Sequence, residues 1–235
     1  MYGPSAKIYT DGTYLSKNPT WHAEDANYKA KDIITLLARN RLRPRAICEV
    51  GCGSGGVLEL LSQELGASAQ FTGYDISQPA LALSRLREKE NVHFILGDFP
   101  EEGARFDLVL AIDVLEHVED YMAFLRKLKP WGTHKIFRIP LNLSVQSVLC
   151  KSRPILRARA AYGHLHYFTK ETALACLEDA GYKITDCFHS FGPISAQALG
   201  WKRSILKSIK KALFALNREW IARLLDGFSL MVLSE

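Results

Sequence analysis

Residues 49–56 read EVGCGSGG, between the apolar run Ala46, Ile47 and Cys48 and an amphipathic stretch that starts at Val57. A strand, a glycine turn and a helix start make a ligand seat, because missing Cβ atoms let a ligand reach the backbone and the first helical turn offers unpaired N–H groups. Two spacings coexist here. Gly51, Gly53 and Gly56 form G-x-G-x-x-G, the pyrophosphate loop of a dinucleotide, while Gly51, Gly53 and Gly55 stand behind Glu49 in E-x-G-x-G-x-G. Charge separates them: a carboxylate repels a pyrophosphate and attracts an ammonium, such as the one at the methionine end of S-adenosylmethionine. Glu49 therefore favours the second spacing. Asp75 follows the first glycine by about the ~20 residues typical of an acid that binds ribose hydroxyls, a group present in either ligand. Asp98, in ILGDF, ends a third apolar run where its carboxylate can accept a hydrogen bond from an adenine amino group, and Asp113, in AIDVLEHVED, ends a fourth.

Proton chemistry points to histidines. His117 follows the fourth run, and an imidazole with an ordinary pKa near ~6.5 can take a proton from a hydroxyl nucleophile; a structural or cofactor-shielding role is equally open. His164 and His166, two apart in YGHLHYFT, would share one face of an extended segment and are candidate substrate contacts, His166 also a candidate proton acceptor. Two imidazoles alone do not make a metal site, and none is expected. Asp113 and Glu116 can also simply open a helix, where acids suit the dipole.

The elements that must hold these residues follow from periodicity. Strand patterns at 46–50, 69–75, 92–98, 106–113 and 133–140 alternate with amphipathic helix patterns at 56–65, 78–90 and 118–129, which predicts a parallel sheet with crossover helices. Right-handed crossovers place the loops that carry the acids along one sheet edge. Residues 141–166 show no clear period. Thr169 and Gly181 then cap a helix, and 183–191 and 228–234 read as two more strands around a mostly helical insertion at 194–226. The predicted plan is one α/β domain over 1–235, with an N-terminal lid and helix at 1–45, a cofactor-binding core at 46–139 and substrate-side insertions at 140–168 and 194–226. Tyr9, Tyr14, Trp21, His22 and Tyr28 precede the core, with a helix starting near Ala23. These aromatics either close over the site and exclude water or pack against the domain; Tyr14 and Trp21 are counted as substrate contacts.

Composition bounds the rest. The 235 residues, 48% hydrophobic, can bury one substantial core. A formal charge of +5 falls short of the footprint of a dedicated nucleic-acid binder. Five cysteines without a C-x-x-C pair are expected to be reduced thiols. With neither a signal-like start nor an 18-residue apolar run, the chain is expected in the cytoplasm. Residues 201–216 put Ile205, Ile209, Leu213 and Leu216 on one helical face and Lys202, Arg203, Lys207, Lys210 and Lys211 largely on the other. Such a stretch is a solvated face, a peripheral contact with an anionic membrane, a clamp for an anionic substrate or a homodimer surface.

With these motifs in this order, and with LRKLKPWG and IFRIP between them, residues 47–182 resemble the class I S-adenosylmethionine-dependent methyltransferases, in particular the small-molecule group that includes the ubiquinone-biosynthesis O-methyltransferases. The resemblance implies a Rossmann-like, seven-stranded, mostly parallel sheet with helices on both faces and a C-terminal antiparallel hairpin. It implies methyl transfer to an oxygen or nitrogen of a small molecule. Glu49, Gly51, Cys52, Gly53 and Gly55 would line the methionine end, Asp75 the ribose, Ile76 the adenine face, Asp98 and Phe99 the adenine amino end, and Asp113 the floor near the sulfonium. Trp131 departs from the pattern at a usual glycine position, and the N/D-P-P-Y/F motif of base-modifying relatives is absent, so no DNA substrate is expected. Two alternatives stay open: a scaffold subunit of this fold at an anionic lipid surface and, more remotely, an NAD-dependent oxidoreductase.

Overall fold

Strands covered on both faces are nearly continuous in apolar residues, and of the first five runs all but the third, which alternates buried and exposed, approach this kind. In a computed structural model that describes residues 6–99, 103–191, 213 and 217–235, they form β1 (Ala46–Val50), β2 (Gln70–Asp75), β3 (Val92–Leu96), β4 (Phe106–Ile112) and β5 (Gly132–Pro140), each parallel to its neighbours among the five. β6 (Ile184–Phe191) and β7 (Phe228–Ser234) complete a sheet of order β3-β2-β1-β4-β5-β7-β6, with β7 antiparallel to both β5 and β6. The helices are α1 (Lys7–Thr10), α2 (Thr13–Lys17), α3 (Ala26–Arg39), α4 (Gly56–Leu65), α5 (Gln78–Ser84), α6 (Tyr121–Leu128), α7 (Val145–Leu149), α8 (Arg153–Tyr162), α9 (Lys170–Asp179) and α10 (Arg218–Leu224).

Period-two alternation sorts the strand side chains into two cores. Cys48, Val50, Val109, Ala111, Phe137 and Val232 meet Phe124, Leu125 and Leu128 of α6 and Ala173 and Leu177 of α9 on one face. Ile47, Phe71, Leu108, Leu110, Ile136 and Met231 meet Ile33, Leu36 and Leu37 of α3 and Leu58 and Leu61 of α4 on the other. Each fully buried Val, Leu, Ile, Phe or Met among them stabilises by roughly 1.5–3 kcal/mol. Strand order reverses between β1 and β4, and a crevice opens beyond the carboxyl ends at that switch point.

Several boundaries differ from the sequence expectation. α5 stops at Ser84 and a 3-10 turn, Arg85–Arg87, follows, because residues 87–90 have nothing apolar to bury and Arg87 instead reaches Glu59 at 3.0 Å. α6 starts at Tyr121, where Asp120 accepts from the Ala123 N–H at 2.9 Å. The patternless stretch 141–166 contains two short helices: α7 closes a capping box between Ser144 and Ser147, and α8 has Pro154 in its first turn and Gly163 at its end. Trp131 sits in a 3-10 turn, Lys129–Trp131, without left-handed backbone, so the turn does not need a glycine there. Among the described residues the five cysteines are all unpaired, and no helix is long and apolar enough to cross a membrane. The basic stretch 201–216 lies outside the described residues except for Leu213.

Candidate active site

The loop after β1 turns at Gly51, Gly53 and Gly55, with φ of +74°, +54° and +76°. Left-handed backbone of this kind resists L side chains. Space is short as well: a Cβ would come within 2.7 Å of Val114 at Gly51, 2.8 Å of Trp21 at Gly53 and 2.5 Å of Phe94 at Gly55. Gly56 differs, being the first residue of α4 with ordinary helical backbone, and its missing Cβ makes room for Ala26 of α3 at 2.9 Å. The 51/53/55 spacing thus sets the path of the loop, and Gly56 serves helix packing.

Three acids flank the loop. Glu49 is 2% exposed, and its Oε2 has no hydrogen-bond partner among the described residues. A buried polar group left unpaired costs on the order of 1–3 kcal/mol, so the position calls for a cation or donor. Burial, helped by Asp75 and Asp113 and opposed by Lys29, pushes the Glu49 carboxyl up to about 8. Asp75 is anchored, its two oxygens accepting from the Gly53 and Ser77 N–H groups, each at 2.8 Å. Burial still raises it to about 6 against those bonds. Asp98 keeps a buried, unpartnered Oδ1, with Lys127 Nζ 3.9 Å from its other oxygen.

Glu49, Gly51, Cys52, Gly53, Asp75, Ile76, Asp98 and Asp113 line one cavity of about 730 Å³. Two predicted members do not face it. Gly55 packs against Phe94, and Phe99 turns into the core, its ring 5.3 Å from that of Phe124 with Lys127 Nζ 4.1 Å over its face. An aromatic ring beside an apolar helix face buries more surface there than at a cavity rim. The donor set still fits S-adenosylmethionine: an ammonium at Glu49, ribose hydroxyls at Asp75, an adenine amino group at Asp98. A pyrophosphate would meet Glu49.

At the other end, Asp113 has φ +57° and receives both the Arg138 guanidinium and, at 2.9 Å, Lys29 Nζ. Burial alone would raise its carboxyl, yet Arg138 and Lys29 hold it well below the usual carboxylate range. Lys29 comes from α3 and Arg138 from β5. Neither partner was visible in the spacing.

His117 Nδ1 lies 2.8 Å from the Tyr9 hydroxyl, which itself donates to the Tyr162 carbonyl at 2.8 Å. The Tyr9 oxygen therefore accepts the Nδ1–H, and the Gly163 backbone is a further hydrogen-bond partner of the His117 ring. Burial, with His164 nearby, lowers His117 to about 3, and burial lowers His164 to about 4. Both rings are neutral, 4.9 Å apart and edge to face, and the Asn142 amide lies 2.8 Å from His164 Nδ1. Glu116 is 1% exposed, with neither carboxyl oxygen hydrogen-bonded; Oε1 lies 3.8 Å from His117 Nε2. Burial and then Asp113 raise the Glu116 carboxyl well above its ordinary range. Its inward course depends on the 3-10 turn Leu115–His117, which the sequence offers only as the start of a helix.

His166 departs from the expectation. Its Nε2–H donates to the Val118 carbonyl at 2.9 Å, its ring packs on Tyr121 at 4.7 Å, and it does not line the cavity. Residues 163–169 are irregular, because the N–H groups of Leu165 and His166 both bond the Glu116 carbonyl, so the two histidines do not share a face. Tyr14 and Trp21 do line the cavity, in a chain of rings with Tyr9 at 5.0 and 4.7 Å. The Tyr9 carbonyl also accepts from Ser77 Oγ at 2.6 Å. The N-terminal segment thus touches the cavity at both the glycine loop and His117.

Residues 22–186 match the family model of a methyltransferase domain. The ubiquinone biosynthesis O-methyltransferase of Idiomarina loihiensis is 34% identical over 118 residues, 45% of this chain and 46% of that relative. The trans-aconitate 2-methyltransferase of Delftia acidovorans is 35% identical over 121 residues, 48% and 44% of the two chains. This chain spans about half the length of these curated relatives. Among solved structures, the magnesium protoporphyrin IX methyltransferase of Synechocystis PCC 6803 with bound S-adenosylhomocysteine superposes with a TM-score of 0.64 at 15% identity, covering 98% of both chains. That likeness is one of fold.

Proposed function

Because the chain belongs to the methyltransferase domain family, we propose that it transfers a methyl group from S-adenosylmethionine to an oxygen or nitrogen of a small molecule. The observation that carries the proposal is the buried, unpartnered Glu49 oxygen beside a glycine loop whose path requires Gly51, Gly53 and Gly55. When bound, S-adenosylmethionine supplies an electrophilic methyl on sulfonium sulfur. Glu49 holds the ammonium, Asp75 the ribose hydroxyls, Asp98 the adenine amino group and Ile76 the adenine face. Asp113, fixed by Lys29 and Arg138, forms the floor below the methyl. His117 Nε2 accepts a hydrogen bond from the acceptor group, and His164, Tyr14 and Trp21 complete its surroundings. These residues must hold the nucleophile at ~3 Å from the methyl and in line with the bond that breaks.

Within 1–45, the segment ahead of α3 acts as the lid, Tyr9, Tyr14 and Trp21 keeping water from the reacting atoms. Relatives named for ubiquinone biosynthesis and for trans-aconitate support a small organic acceptor. Calorimetry tests the reading: S-adenosylhomocysteine should bind the chain and NAD should not. Tight binding of NAD without S-adenosylhomocysteine would overturn it.

A further inference from the structure

We propose that the N-terminal segment 6–22 and α8 form a two-piece cover over the acceptor end of the cavity, which opens and closes as one body about two strained joints, and that a ligand at the cofactor end favours the closed position. The joint movement stands on the contacts between the two pieces; what passes beneath the cover rests on the methyl-transfer reading.

A helix leaves its last carbonyls without partners of its own. In α8 the Arg159 carbonyl takes the Gly163 N–H, and the next three are all taken by side chains of the N-terminal segment. Lys17 Nζ donates to the Ala160 carbonyl at 3.1 Å, Asn18 Nδ2 to that of Ala161 at 3.4 Å and the Tyr9 hydroxyl to that of Tyr162 at 2.8 Å. Gly163 makes room for this approach, since a Cβ there would meet the Tyr9 hydroxyl oxygen at 2.5 Å and Ile8 Cδ1 at 2.6 Å. Little else holds either piece. α8 buries Ile155 alone and packs chiefly on α2 and α7, while α1 buries no residue and α2 only Tyr14. Elements with so little buried apolar surface open locally at low cost. Sharing one set of bonds, these two open together, and Tyr9, Tyr14, Asn18, Ala161 and Tyr162 leave the cavity wall with them.

Backbone strain marks the joints. Among the described residues six that are not glycine have positive φ, and four of them form two consecutive pairs. Trp21 and His22, at +48° and +55°, stand where the segment meets the turn before α3; Lys151 and Ser152, at +54° and +55°, stand between α7 and α8. Such backbone persists only where its surroundings impose it, and a few residues at element ends that absorb a change of φ and ψ make a hinge. At the far end of α8, Gly163 at +80° supplies the same freedom.

The cover is also tied to the cofactor end. Ser77 Oγ donates to the Tyr9 carbonyl at 2.6 Å, the Ser77 N–H donates to Asp75, and the Trp21 ring lies against Gly53. A ligand on Asp75 and the glycine loop meets these groups only in the closed position, and a ligand shifts an equilibrium by its preference for one state. Its effect reaches α8 through the bonds to Tyr9, Lys17 and Asn18. Acceptor and product pass in the open position, so the opening rate sets a ceiling on turnover.

Hydrogen exchange of the full chain, read by mass spectrometry on peptides of α2, α3 and α8, tests the proposal. Without ligand, α2 and α8 should share one opening free energy, below that of α3; two different values overturn the joint movement. S-adenosylhomocysteine at ~100 times its Kd should slow exchange in α2 and α8 alike, by up to ~100-fold. Slowing in α2 with α8 unchanged overturns the coupling. Lys17→Met combined with Asn18→Ala, and separately Tyr9→Phe, should speed exchange in α8 and reduce its protection by the ligand, while α3 keeps its rate and so reports an intact fold. Undiminished protection of α8 in both variants shows that these bonds do not join the pieces. Failure of the unsubstituted chain to bind S-adenosylhomocysteine overturns the methyl-transfer reading instead, and the comparison without ligand still decides the joint movement.

Discussion

Replacing Glu49 with glutamine removes the charge but keeps the shape, and two readouts of S-adenosylhomocysteine binding should change together. The first is affinity. A hydrogen bond to a charged group contributes about 1.5–3 kcal/mol, so Glu49→Gln should bind about 10- to 150-fold more weakly. The second is proton release. With the ligand-free carboxyl pushed up to about 8 by burial, most of the molecules carry that proton at pH 7, and an incoming ammonium must displace it. Calorimetry at pH 7 in buffers of different ionisation enthalpy should therefore register proton release on binding, and almost none in the variant. The same shift has a sign for stability. A carboxyl whose folded pKa lies above its unfolded value, here about 8 against 4.5, makes the ligand-free fold lose stability as pH rises through that window. Glu49→Gln should flatten the loss in a thermal melt. Equal affinity and equal proton release in both proteins would refute the assignment of Glu49 to the ammonium.

Gly53→Ala places a Cβ 2.8 Å from the Trp21 ring at φ +54° and should lower the melting temperature by several degrees and weaken S-adenosylhomocysteine. Gly66→Ala, also at positive φ (+82°) but with nothing within 4 Å, should cost stability alone. Asp113→Asn strands Lys29 and Arg138 as buried, uncompensated cations, and urea denaturation should show a loss of about 3–5 kcal/mol. Neutralising Lys207, Lys210 and Lys211 together should abolish flotation with anionic vesicles if 201–216 is a membrane contact, and should leave S-adenosylhomocysteine binding intact.

Local pattern made the sheet legible. The central strands β1, β4, β5 and β7 bury both faces and each long helix shows one apolar stripe, so the two-sided layering follows from periods of 2 and 3.6. The glycine loop was legible because its chemistry is contiguous. What the sequence concealed is whatever depends on distant partners or weak stripes. α8 buries only Ile155, too little to create a period. Phe99 next to Asp98 suggests a cofactor wall, yet Phe124 offers it a better surface. The Lys29, Asp113 and Arg138 group joins three elements, and nothing in the spacing of Asp113 names either partner. His164 and His166 look equivalent until the Glu116 carbonyl pins the backbone between them.

The two best-defined acids of the cavity are treated oppositely, and the proposed chemistry gives a reason. Methyl transfer consumes the positive charge on sulfur while leaving the ammonium charge untouched. A bare carboxylate beneath the sulfonium would stabilise the reactant more than the transition state, raising the barrier. Asp113, which that proposal places there, sets one negative charge against two cations, Arg138 and Lys29 at 2.9 Å, so its place is kept while its field is more than offset. Glu49, at the ammonium end, has no such match on its buried oxygen. An interaction there is equally strong before, during and after transfer, so it binds without slowing the reaction. The orphaned carboxylate and the doubly paired one are thus two answers to one question: whether the charge each faces survives the step.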